Sequence, residues 1–260
     1  MVHRRHNGAT ILVSQPAHAW LSGHLARAWG NEEFQPPEPF DEVVLATELH
    51  DVGFLDWELE PTLNKHTGLP HSFLDLPPAT HFEIWSRGVK RMMAYSRYAT
   101  LLCSRHYSGL LQRHPKTEPR EAEMAQGFLD TQSSLQHLLL KSLQRDSQYA
   151  AFSTEAVLAR NSRLLSIWDW ISLLLCGGFS GDQIIEEVPA RETSVQLTLH
   201  PVDPDALRVQ VTPWPFQSDQ LQLTIEGRCL SATFAEQDTM RTALRAAAPV
   251  VVSIELVSKS

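Results

Sequence analysis

A single change of hydrophobic period divides the sequence. Up to about residue 183 the apolar residues recur at helical spacing. Beyond Val188 they alternate: Val195, Leu197 and Leu199; Leu207, Val209 and Val211; Leu221, Leu223 and Ile225; then Val250 to Leu256. The pattern predicts a mostly α chain, with a helical domain over residues 1–183 and a small β-rich C-terminal module over residues 184–260. A short strand at Ala9–Val13 precedes a helix opened by Ser14 and Pro16, a capping hydroxyl before a first-turn proline. Further helices are expected from Asp41 to His50-Asp51 with Gly53 as terminator, and from Thr80, where Thr80 and Glu83 have capping-box spacing. Others follow over residues 97–112, 119–144 and 154–176. Between Phe54 and Ala79 the chain is rich in proline and isolated aromatics, long for a connection without a task.

Charge and cysteine content narrow the partners. A net charge of −8 argues against an electrostatic hold on nucleic acid or an anionic membrane. Cys103, Cys176 and Cys229 lie far apart, which suits neither a disulfide framework nor a thiolate zinc knuckle and fits a cytoplasmic protein. The most apolar stretch, Leu164 to Leu175, is broken by Ser166, Asp169 and Ser172, so no membrane span is expected.

Twelve histidines are the chemical feature to follow. The run Ala46-Thr47-Glu48-Leu49-His50-Asp51-Val52-Gly53 delivers adjacent His and Asp side chains at the end of an apolar helix. Asp169 stands among Leu164, Leu165, Ile167, Leu173, Leu174 and Leu175, where a carboxylate is costly to bury unless paired or metal-bound. Helix geometry separates His18 from His24 by about 240°, so only one faces a site; Ala17, Leu21 and Leu25 favour His18, with His24 as the substitute. His81 and His106 decide between one ion and two, since four donors close a mononuclear shell and six permit a bridged pair.

The order His18, His50-Asp51, Asp169 resembles the HD superfamily of metal-dependent phosphohydrolases over roughly residues 15–177. It is most similar to a bacterial HD-like family of unknown function, through Gln15-Pro16-Ala17-His18, His50-Asp51-Val52-Gly53, Ser104-Arg105-His106 and Trp168-Asp169-Trp170-Ile171-Ser172-Leu173. That narrower likeness extends to Pro213-Trp214-Pro215-Phe216.

The resemblance implies an HD-type helical bundle holding one or two divalent transition ions (Fe, Mn, Zn or Ni) on His18, His50, Asp51, His81, His106 and Asp169. His50, Asp51 and Asp169 would then be central to catalysis. Arg87, Arg105 and His71 are the candidates for holding a small anionic substrate. The expected reaction is hydrolysis of a phosphomonoester or phosphodiester by metal-activated water. Many HD enzymes place a lysine soon after the His-Asp pair, whereas Phe54, Asp56 and Trp57 stand there in this chain. Two alternatives follow: an HD-type diiron oxygenase of a small polar molecule, or a non-catalytic, metal-stabilised ligand sensor.

Overall fold

The computed structural model describes residues 1–258. Strands β1 (Val2–His6) and β2 (Ala9–Val13) form a hairpin. Its two-residue turn, Asn7-Gly8, has positive φ at both positions (47° and 79°), as a type I′ turn requires. Helix α1 (Gln15–Ala28) starts under a cap in which the Ser14 hydroxyl accepts from the Ala17 amide at 3.1 Å. Helix α2 (Phe40–Leu49) ends at His50 and is followed by a 3-10 turn, Val52–Phe54, and by α3 (Leu55–Leu59). The proline-rich connection contains a two-strand ladder of β3 (Leu63–Asn64) and β4 (Leu69–Pro70). Four longer helices come next: α4 (Pro78–Met92), α5 (Arg97–Arg113), α6 (Pro119–Gln144) and α7 (Glu155–Gly177).

The remaining elements are β5 (Gln183–Pro189), β6 (Ser194–Pro201), β7 (Arg208–Thr212), β8 (Gln220–Leu230), α8 (Gln237–Ala246) and β9 (Pro249–Ser258). They do not form a separate small module appended to a bundle. Seven strands make one sheet in the order β1-β2-β8-β9-β7-β6-β5, so the N-terminal hairpin extends the C-terminal strands, and only the β7–β9 pair is parallel. The fold is therefore mixed α/β, which corrects the expectation of a mostly α chain with an HD-type helical bundle and a small β-rich tail.

One face of the sheet is buried along its whole width, and the other is covered only at the β2–β8 end, where Leu12 and Leu230 pack against Leu244 of α8. Leu197, Leu199, Val209, Val211, Leu223, Ile225, Ile254 and Leu256 point into the core, with more exposed residues between them. Helix α7 spans the core face. Near its start, the Arg163 guanidinium donates to the carbonyls of Glu186 and Glu187 in β5. Near its end, the Leu175 carbonyl accepts from Arg4 of β1 at 2.8 Å. These are the two edge strands, so the sheet curls around the helix. One apolar core contains Leu21, Leu25 and Trp29 of the α1 segment, Trp168 of α7, and the inward residues of the sheet. Trp29 sets its ring 5.7 Å from both Trp168 and Phe216. Burying side chains of this size contributes about 1.5–3 kcal/mol each, which holds α1 and α7 against the sheet and against each other.

Two local expectations also change. Helix α4 begins at Pro78 with no side-chain cap, so the Thr80/Glu83 pair forms no capping box. Gly53 does not terminate a helix. It lies inside the 3-10 turn, where a Cβ would overlap the Ile84 carbonyl and crowd the Gly88 amide of α4.

Candidate metal centre

Four chain segments meet at one point. Helix α1 brings His18, the end of α2 brings His50 and Asp51, α5 brings His106, and α7 brings Asp169. All five residues are buried. Ligand atoms of His18, His50 and Asp169 lie within 4.8 Å of one another, a group that could hold a metal ion. His18 Nε2 is 3.2 Å from Asp51 Oδ2 and 3.4 Å from Asp169 Oδ1. His50 Nε2 is 3.3 Å from Asp169 Oδ1 and 3.7 Å from Asp51 Oδ2, and His106 Nε2 is 3.4 Å from Asp169 Oδ2. Ligands about 2.1 Å from a shared ion stand roughly 3.0–3.4 Å apart, so the separations of His18 and His50 from Asp169 Oδ1 suit a common centre, with Asp51 and His106 at its margin.

Hydrogen bonds on the outer side of each imidazole fix which nitrogen faces inward. His50 Nδ1 lies 2.8 Å from the Thr47 carbonyl, which can only accept, so Nδ1 carries a proton. His18 Nδ1 is 2.6 Å from the Ser172 hydroxyl, which in turn donates to the Asp169 carbonyl at 2.8 Å and so accepts from His18. His106 Nδ1 is 3.3 Å from Ser166 Oγ, whose proton goes to the Ser162 carbonyl. In all three rings Nδ1–H is engaged outward and Nε2 faces the carboxylates, the arrangement that prepares imidazoles as metal ligands. His50 Nε2 is buried and, despite its nearness to Asp169, lacks the alignment for a hydrogen bond. Gln15 braces the other carboxylate, donating from Nε2 to Asp51 Oδ2 at 3.1 Å.

Electrostatics describe the same cluster. Burial works against charging His50, but the adjacent Asp51 and Asp169 outweigh it and raise its pKa to about 9. Burial likewise opposes ionising Asp169, yet His50 and the other two imidazoles hold the carboxyl well below the usual range. Asp51 is lowered for the same reason, by His50 and His18 against its own burial. His106 goes the other way, pushed by burial to about 4. A positive charge therefore belongs at the centre, supplied by the His50 proton when nothing else supplies it.

The cluster forms the floor of a cavity of about 270 Å³ to which His50, Asp51, His106 and Asp169 all contribute. His81 is in the wall rather than among the donors: it stacks on Trp85 at 5.2 Å and faces Phe54 at 6.0 Å, and burial lowers its pKa to about 4. Arg87, Arg105 and His71 do not line the cavity. Arg87 is paired with Asp56 at 3.1 Å, Arg105 with Glu155 at 2.5 Å, and the His71 ring with Thr62 at 2.9 Å. His24 packs against Trp20 outside the site.

Sequence reasoning overlooked Ser172, Thr47 and Ser166, which orient the imidazoles, and Lys116, which reaches the cavity. Helical spacing carried a trace of the first: Ser172 is one turn from Asp169 and so on the same face.

A family model described as "Protein of unknown function (DUF3891)" matches residues 1–232. The chain belongs to the DUF3891 family. The stretch matched by DUF3891 includes all five residues of the cluster and ends before α8 and β9. No curated protein and no solved structure matches the chain. Among the described residues, no helix is long and apolar enough to cross a membrane.

Proposed function

We propose that this protein is a metal-dependent hydrolase of a small phosphoester, with an HD-type donor set of His18, His50, Asp51 and Asp169. The observation that carries the reading is the convergence of three outward-bonded imidazoles and two buried carboxylates at the floor of a cavity. A divalent transition ion held there would acidify water and polarise the ester oxygen. Asp51 and Asp169 supply two negative charges against the ion. Ser172, Thr47 and Ser166 keep the three Nε2 atoms aimed inward, so little reorganisation is needed on binding. His81, neutral and in the cavity wall, is placed to accept or hand over a proton within the enclosed space.

Both Arg87 and Arg105 are tied up in ion pairs away from the cavity. The absence of that guanidinium clamp favours one second reading, iron-dependent oxidation of a small molecule in the same cavity. The two are separated by reconstituting metal-stripped protein with Fe, Mn, Zn or Ni. Each sample is assayed for release of nitrophenol from aryl phosphomonoesters and phosphodiesters, and for oxygen uptake. Ion-dependent hydrolysis that disappears in Asp51→Ala and Asp169→Ala is the expected result. Full metal retention by Asp169→Ala would remove the basis of the proposal.

A further inference from the structure

The wall above the metal cluster is apolar to an extent unusual for a site that handles phosphate. Phe54, Phe73, Leu76, Phe82, Trp85 and Leu110 supply most of it. Its aromatic side is stiff: Trp85 stacks on Tyr107 with ring centres 5.1 Å apart and 14° between planes, and Phe82 stacks on Phe128 at 5.5 Å. At the mouth, Leu74 is 77% exposed, although its turn is held by a capping box from Ser72 and Asp75. An ordered turn that leaves a leucine in solvent beside a cavity has apolar surface free to cover a ligand.

The polar groups are few. Apart from the donors themselves, the cavity offers Gln15, whose Nε2 is given to Asp51 and whose buried Oε1 has no partner, together with His81, His114 and a half-buried Lys116. A sugar, a nucleoside or a second phosphate would bring several hydroxyl or phosphoryl oxygens into a place with almost nothing to pair them. Each unpaired group costs roughly 1–3 kcal/mol. An alkyl or aryl group would meet a matching surface.

We infer that the molecule this site accepts has one anionic head, set at the metal cluster, and an unbranched or aromatic hydrocarbon body lodged against the Phe54–Trp85 wall. This rests on the hydrolase reading and names its substrate class. Among the lining residues Lys116 alone is a lysine or arginine, which suits a single anionic head, and the apolar wall selects what is attached to it.

A homologous series tests the inference through binding, without turnover. Methyl- to hexylphosphonate are titrated calorimetrically into the metal-loaded protein. Each added methylene should tighten binding about fourfold over at least three steps, the value expected for burying one such group. An ω-hydroxyl on the hexyl chain should reverse part of that gain. Leu74→Ser, at an exposed position where folding is not at stake and with no added charge, should flatten the series for the longer chains. Trp85→Ala should lower the slope throughout. A flat series, no binding by any member, or equal affinity for the hydroxylated chain would overturn the inference. The parent reading fails differently: it requires methylphosphonate binding to disappear in chelator-treated protein and in Asp169→Ala, whatever the chain-length slope.

Discussion

Ser172 holds two of the cluster's groups at once. Its hydroxyl accepts the His18 Nδ1 proton at 2.6 Å and donates to the Asp169 carbonyl at 2.8 Å, so one side chain fixes both the ring orientation of one donor and the helix turn that carries another. Ser22 joins the same oxygen at 2.7 Å, closing a buried chain of hydroxyls between α1 and α7. Removing Ser172 leaves the His18 N–H without its acceptor in a place water does not reach, and the ring is free to rotate or change tautomer. Ser172→Ala is expected to weaken metal affinity by about 10- to 100-fold, the usual effect of losing an outer partner of a ligating imidazole, while saturating ion still restores full stoichiometry. Competition against a chromogenic chelator measures this directly, with His24→Ala as the variant that should bind like the parent. Unchanged affinity in Ser172→Ala would mean that His18 is not a ligand.

At the scale of elements, the helices were readable because their signals are local. Ser14 before Pro16, Thr154 before α7 and Gly178 after it are caps that act within a few residues, and the structure uses each of them. Asp169 could be singled out because its cost comes from immediate neighbours in the sequence. The joining of β1 and β2 to β8 could not, since a pairing such as Thr10 with Leu230 depends on residues far apart in the chain. Strand β1 also looks unlike a buried strand, reading Val2-His3-Arg4-Arg5-His6, although the Asn7-Gly8 turn was a legible hairpin signal. Gly53 is a related case: it was legible as a special position, but its purpose lies in α4, thirty residues on. Gly53→Ala should destabilise the protein by about 3 kcal/mol, because the added carbon meets backbone atoms that cannot move aside. Gly127→Ala, in the exposed middle of α6 with no atom within 4 Å of the added carbon, should stabilise by about 1 kcal/mol. Urea denaturation of the two variants, at opposite ends of that range, tests whether α4 packs on the His50-Asp51 turn as closely as described.

On the scale of the whole molecule, the residues of the cluster come from α1, the end of α2, α5 and α7, so its charge state bears on the stability of the entire helical layer. In metal-stripped protein, burial holds His106, His81 and His3 at pKa values of about 4, against about 6.5 in an unfolded chain. Between those values the unfolded state binds more protons than the folded one, so stability falls as pH falls from 6.5 towards 4. For the fully enclosed His106 the loss reaches about 2 kcal/mol by pH 5, and it is smaller for the partly open His3 and His81. His50 has the opposite sign. Burial disfavours its charge, but Asp51 and Asp169 raise its pKa to about 9, so the folded state keeps a proton that the unfolded chain releases above 6.5. The stability it contributes is complete below pH 6.5 and is lost as pH rises through about 9. Chelated protein should therefore be most stable near neutral pH, with urea midpoints that decline at both pH 5 and pH 9. Adding excess ion should reverse the alkaline decline alone, because the ion takes the place of the His50 proton and binds more tightly as that proton leaves. An alkaline limb that is absent from chelated protein, or that persists unchanged with ion, would show that His50 does not face the centre as a charge-switching donor.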